Sequence, residues 1–247
     1  MKEIFVGCCG FCESQKNYFK DFKTIEIQKT FYQLIDEKLA KKWKEKASKE
    51  FIFNLKVFQG ISHPAEMPTW RRSNLDFEKL KGKVGFLKPT KEVFEFWKKM
   101  IKVAKILEAK VLVIQMPKKF ENNQENWENA EKFFEKIERR DFLIGIELRG
   151  WNDKERKKFC KKFELIDIVD PFANRAQHLT KKKVFYFRLH GSPPGKKMYS
   201  YKYTKKDFEF LIKEIKSLKF KEGFVMFNNI FMKDDAKEFL KFSKKNL

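Results

Sequence analysis

LIGIELRGW, residues 143–151, decides how the rest of the chain is read. As a strand it alternates between two faces: Ile144, Ile146 and Leu148 point one way, and Gly145, Glu147 and Arg149 the other. On a surface strand the charged face would simply meet water. Other segments repeat the pattern, however, each with a polar residue at or near its C-terminal end. That repetition predicts a barrel with a polar mouth.

Working outward, strand patterns fall at 4–7, 24–28, 51–57, 111–116, 143–149, 165–170, 184–190 and 224–228. Helical periodicity lies between most of them, at 33–47, 92–107, 125–137, 153–163, 205–218 and 234–242. The helix at Lys205 opens with Thr204 and Asp207, a capping box with Asp in place of Glu or Gln. Eight strands with helical crossovers imply a parallel sheet, and their number predicts one closed (β/α)8 TIM-like barrel over residues 1–247. An open doubly wound sheet is the alternative, but no GxGxxG loop follows the first strand. Two irregularities are expected. The connection 58–91, with Pro64, Pro68, Gly82, Gly85 and Pro89, reads as a long loop excursion near the mouth. The stretch 171–180 leaves room for only a short or missing helix after strand six.

Composition agrees with a sizeable core: 42% of residues are hydrophobic and 29 are Phe. No apolar run reaches the length of a membrane span and no signal peptide opens the chain, so a cytoplasmic protein without a membrane partner is expected. The net charge of +22 raises nucleic acid as a partner. Arg stands at only eight of the 56 basic positions, though, whereas phosphate and base recognition favours the bidentate Arg fork. Lys spread over every helix equally suits a compositional bias. Where Arg is scarce, Arg149 and Arg188 at strand ends are placed for geometry. Cys8, Cys9 and Cys12 cluster near the start, and Cys160 stands apart. A zinc or iron–sulfur site at the first three would lack a fourth ligand and a second CxxC, so buried thiols are the simpler reading.

If apolar residues mark the outer face of each strand, the inward set follows. Thr24, Glu26 and Gln28 face in, as do Ile52, Asn54 and Lys56, then Val113 and Gln115, then Glu147 and Arg149. Tyr186, Arg188 and His190 join them, with Asn228 on the last strand, Asn229 just beyond it, and Asp170 ending strand six. Charges converging inside a barrel are costly unless they pair or bind something. They form either a self-satisfied network of Glu26 and Glu147 with Lys56 and the two Arg, or a ligand site.

The same segments resemble the YecE-like family, domain of unknown function 72. The resemblance rests on VGCCG, TIEIQKTFY (Glu26, Thr30, Phe31, Tyr32), FIFNLKV with the later ISHP (Lys56, His63), and VIQMP (Gln115). It continues through IELRGW (Glu147, Arg149, Trp151), FRLHG (Arg188, His190) and MFNN (Asn228, Asn229), in order along nearly the whole chain. Departures are Phe11 in a Cys-rich first turn where the family usually has Trp, and Gly150 where Ser commonly precedes the Trp. The resemblance implies a TIM barrel with its site at these positions. It implies no reaction.

Three functions fit the set. The first is an enzyme on a small anionic or polyhydroxylated substrate. Arg149 and Arg188, with Gln115, Asn228, Tyr32 and His63, would bind it, and Glu26, Lys56, Glu147 and His190 would carry acid/base chemistry. In that reading a desolvated Lys56 could form a Schiff base. The second is a metal-dependent phosphodiesterase or nucleic-acid-processing enzyme, with Glu26, Glu147, Asp170 and His190 as ligands of a divalent metal; no HxH or HExxH spacing supports it. The third is a non-catalytic nucleic-acid or metabolite-binding protein, using Tyr199, Tyr201 and Tyr203 among the lysines of KKMYSYKYT. Against it, the same stretch reads as a solvated lid.

Overall fold

The structure, a computed structural model, describes residues 2–193 and 197–247. Eight parallel strands close into a barrel in chain order: β1 (Glu3–Cys9), β2 (Thr24–Ile27), β3 (Ile52–Lys56), β4 (Val111–Met116), β5 (Leu143–Leu148), β6 (Ile166–Val169), β7 (Val184–Leu189) and β8 (Glu222–Phe227). β1 pairs with β8, which completes the ring and leaves no open edge.

The alternation is that of the sequence. Outward residues such as Ile25, Phe53, Leu112, Ile146 and Phe187 pack under the helices in one continuous core. Inward residues form a second apolar cluster: Cys9, Val111, Val113, Ile166, Ile168, Tyr186, Phe224 and Met226 plug the barrel. On the inner face of β5, Gly145 makes the plug possible, because a Cβ there would stand 2.5 Å from Ile168 Cδ1. The polar set therefore rests on an apolar floor rather than filling the interior.

Helix Asp153–Phe163 is capped by an Asn152–Glu155 box, and helix Lys205–Ser217 by the expected Thr204–Asp207 box. Helices Lys91–Leu107 and Gln124–Lys136 agree with the periodic stripes to within a residue at each end. Two short helices lack such a stripe: Gln15–Asp21 follows β1 and Lys29–Tyr32 follows β2. Neither is long enough to show a 3.6-residue period. The excursion after β3 is more ordered than a loop. It holds helix Gln59–Ser62 and the 3-10 turns Pro68–Arg72 and Glu78–Leu80.

No helix follows β6. Arg156, buried on helix Asp153–Phe163, takes over that space. Its guanidinium bonds Asp167 Oδ1 at 3.3 Å, the Arg175 carbonyl at 2.8 Å and Asn174 Oδ1 at 3.4 Å, tying the connection down. No helix among the described residues is long and apolar enough to cross a membrane.

Candidate functional site

The polar side chains meet at the C-terminal end of the barrel. Arg188, near the end of β7, is fully buried and holds two carboxylates. Its Nε and Nη2 donate to Glu26 Oε2 and Oε1 at 3.1 and 3.0 Å, a bidentate fork reaching across from β7 to β2. Its Nη1 donates to Gln115 Oε1 at 2.9 Å and also to Glu147 Oε2. The Tyr186 hydroxyl donates to Glu26 Oε2 at 2.9 Å, and Gln28 Nε2 donates to Glu26 Oε1.

Arg149, just after β5 and two strands from Arg188, donates from Nε to Glu147 Oε1. Its Nη2 faces His190 Nε2 at 3.2 Å, while Asp170 Oδ2 accepts from the His190 backbone N–H at 2.8 Å and stands 3.3 Å from Nδ1. The tautomer satisfying both contacts carries its proton on Nδ1. Burial pushes the Glu147 carboxyl up, but the charges of Arg149 and Arg188 outweigh it and hold the group well below the usual carboxylate range.

Two carboxylates thus meet two guanidiniums, and Lys56 is left outside the network. Its side chain is only 5% exposed, and its ammonium lies 3.9 Å above the centre of the Phe31 ring. Among the described residues no carboxylate comes within ion-pair distance of it, since Glu26 and Glu147 are held by Arg188 and Arg149. Burial, with the Arg188 charge adding to it, lowers the Lys56 pKa to about 7. His63 is neutral beside it. Burial and the Lys56 charge push its ring down to about 3, and Nδ1 lies 2.7 Å from Ser62 Oγ.

A cleft of about 590 Å³ opens over Glu147, Arg149, Asp170 and His190 and runs out past Lys118. Of the residues expected at the site, Glu26, Lys56, Gln115, Glu147, Arg149, Arg188, Asp170 and His190 converge. His63 lies to the side, its ring edge-on to Phe31. Asn228 stays half-buried at the rim, whereas Asn229 serves structure, its Nδ2 donating to the Tyr201 carbonyl and Asp235. Tyr32 lies outside the cluster, in a neighbouring groove under Arg72. Tyr186 belongs to the network, and its only sequence signal was its inward parity on β7.

The donor set proposed for a metal is not assembled. Arg188 stands between Glu26 and Glu147, and among the described residues no group of three or more His, Cys, Asp and Glu converges on one point. The Cys cluster is split as well. Cys9 faces into the barrel and Cys8 outward, where Cys12 Sγ approaches Cys8 Sγ at 3.7 Å, so the three sulfurs cannot share an ion. All four thiols are free.

The tyrosine array dissolves too. Lys196, which opens that stretch, lies outside the described residues. Tyr203 is buried against Phe172 and Phe227, and the Tyr201 hydroxyl donates to Asp207 at 2.8 Å. Only Tyr199 is exposed, edge-on to the His190 ring at 5.7 Å. Gly191 lets this segment close over the mouth. Its φ is +124°, and a Cβ would stand 1.8 Å from the Met198 carbonyl oxygen.

Fold and site together define a (β/α)8-barrel protein whose C-terminal mouth holds a carboxylate–guanidinium network beside a desolvated lysine. The chain matches the model of the family described as protein of unknown function DUF72 over residues 13–246, and it belongs to that family. Among solved structures it is similar to a DUF72 family protein from Enterococcus faecalis V583, with a TM-score of 0.74 and 19% identity over 99% of this chain and 98% of that one. A DUF72 family protein from Thermotoga maritima MSB8 gives 0.71 and 21% over 98% and 99%. The structure of SacUVDE gives 0.59 and 10% over the full length of both, a likeness of fold alone. No curated protein matches the chain.

Proposed function

We propose that the protein is an enzyme whose barrel mouth acts on a small anionic or polyhydroxylated carbonyl compound, with Lys56 as its reacting amine. The observation that carries this reading is the state of Lys56: buried, without a carboxylate partner among the described residues, and poised to lose its proton near pH 7. A structural lysine would be paired or would reach water.

In this reading the neutral Nζ adds its lone pair to the substrate carbonyl carbon. The carbonyl oxygen leaves as water with both amine hydrogens, and an imine remains. Arg149, partly exposed in the cleft, and the free Nε2 donors of Gln115 hold the anionic or hydroxylated part of the substrate. His190, backed by Asp170, passes protons at the cleft. Arg188 touches no substrate. It holds both Glu26 and Glu147 in place by ion pairs, which keeps them from pairing with Lys56. The phosphodiesterase alternative rests on the net charge and on Glu26, Glu147, Asp170 and His190 as ligands, and among the described residues no three such groups gather around one point. The same reading places the protein in the cytoplasm, where its four thiols stay reduced.

The test is reductive trapping. The protein is incubated with small oxo acids, sugars and sugar phosphates, reduced with borohydride, and mapped by peptide mass spectrometry. At least one compound is expected to leave a reduced adduct on Lys56 at neutral pH, and none on that position in Lys56→Met. Adducts spread over surface lysines with Lys56 unmodified would sink the proposal.

A further inference from the structure

A groove of about 890 Å³, larger than the cleft over His190, opens on the β1–β2 side. One wall carries Gln28, Lys29 and Tyr32, and the opposite wall carries Arg71 and Arg72 from the 3-10 turn after β3. Among the described residues no carboxylate lines it. Three cations therefore face one space without an anion, in a chain that has only eight arginines.

The groove is built rather than incidental. The Arg72 guanidinium carbon lies 3.5 Å from the centre of the Tyr32 ring, a cation–π contact in which both partners line the opening. Beside the arginines, Trp70 is buried, and its Nε1 donates to the His63 carbonyl at 3.1 Å, which anchors the turn. The Asn74 side chain straps the two walls together, accepting from Leu34 N–H and donating to the Leu34 carbonyl, both at 3.3 Å. Gln59 Nε2 reaches the Tyr32 carbonyl at 3.3 Å. The ion pairs of this excursion, Lys79 with Asp76 and Lys81 with Glu78, leave Arg71 and Arg72 out.

We infer that this groove binds a nucleoside phosphate, its phosphate held by Arg71, Arg72 and Lys29 and its base stacked on the Arg72–Tyr32 pair. Guanidinium forks match phosphate oxygens, and a planar base stacks on a guanidinium plane or an aromatic face. The volume lies within the range of small-molecule sites. The groove also communicates with the mouth: Gln28 on its wall donates to Glu26, and Phe31 packs edge-on against Tyr32 while lying under Lys56. A bound nucleotide would thus be separated from the reacting lysine by the Phe31 ring, and would act either as the remote part of the substrate or as an effector. The binding itself does not require Lys56 chemistry.

The experiment is titration calorimetry on the full chain with adenosine diphosphate, inorganic pyrophosphate and a ten-nucleotide single strand. Saturable binding of the diphosphate nucleotide is expected, weakening with salt and tighter than pyrophosphate because the base contributes. Losing two charge-assisted forks in Arg71→Ala/Arg72→Ala should weaken it about ten-fold or more. Both arginines are exposed, so the variant is expected to fold, as an unchanged melting curve would verify. Lys56→Met should leave the affinity unchanged, which separates this site from the amine chemistry proposed above. No saturable nucleotide binding, or equal affinity in the double variant, would overturn the inference. Nucleotide binding no tighter than pyrophosphate would overturn base stacking. Clear preference for the single strand would overturn a free nucleotide as the occupant and move the groove to a polynucleotide.

Discussion

Lys56 concentrates the chemistry of this molecule in one side chain, and it should also leave a thermodynamic mark. Its pKa falls from the ordinary lysine value to about 7 on folding, so between pH 7 and roughly pH 10 the unfolded chain binds more protons than the folded one. The stability contributed by this group is therefore present above the unfolded pKa and lost as pH falls through the folded one. Lys56→Met removes the buried charge. It should be more stable than the parent at pH 6 to 7 by an amount on the order of a few kcal/mol, read as a higher melting temperature, with the difference shrinking toward pH 10. Parallel melting curves across that range would mean that Lys56 stays protonated with an undetected partner. The inward parity of Lys56 is legible in FIFNLKV. Its isolation is not, because that depends on which cation reaches Glu26 and Glu147 first. Of the two readings the sequence left open, the ion network of Glu26 and Glu147 with both arginines forms, but without Lys56: Arg188 has five donors in a rigid fork and takes both carboxylates.

At the scale of elements, alternation along each strand carries most of the site. β5 and β7 each put apolar side chains under the helices and polar ones at the mouth, so Glu147, Arg149, Arg188 and His190 could be placed from parity alone. Parity does not describe how the strands fill the space between them. Gly145 shows this, since its missing Cβ makes room for Ile168 on the neighbouring strand. Gly145→Val should overpack the plug directly below Glu147 and destabilise the protein by about 1–3 kcal/mol, read as a lower denaturation midpoint. An unchanged midpoint would show that the plug has slack. Elements of four to seven residues, such as Lys29–Tyr32 and Gln15–Asp21, were hidden from periodicity. The groove with Arg71 and Arg72 was hidden for a related reason: its walls come from separate segments, 28–34 and 68–74, joined by the Asn74–Leu34 hydrogen bonds.

For the whole molecule the dominant quantity is a net charge of +22 on 247 residues. Many of the ion pairs lie at the surface, as with Lys98–Glu95 and Lys79–Asp76, and exposed pairs of this kind contribute little. Self-repulsion should therefore be measurable. Raising sodium chloride from about 10 to about 300 mM shortens the screening length from roughly 30 Å to below 10 Å, and the melting temperature should rise by a few degrees. A melting temperature that falls with salt would mean that attractive pairs outweigh the excess of lysine. Closure of β8 onto β1 also belongs to this scale, because it brings Glu26 near the start of the chain within reach of Arg188 near its end.

From its sequence alone the chain determined a parallel eight-stranded barrel, the faces of its strands and the identity of most mouth residues, because a two-residue period and crossover lengths are local properties. Only the tertiary structure decided which charges pair and that a buried lysine is left without a carboxylate among the described residues. Those outcomes depend on distances across the barrel, between residues as far apart in the chain as Glu26 and Arg188, and a linear pattern does not contain them.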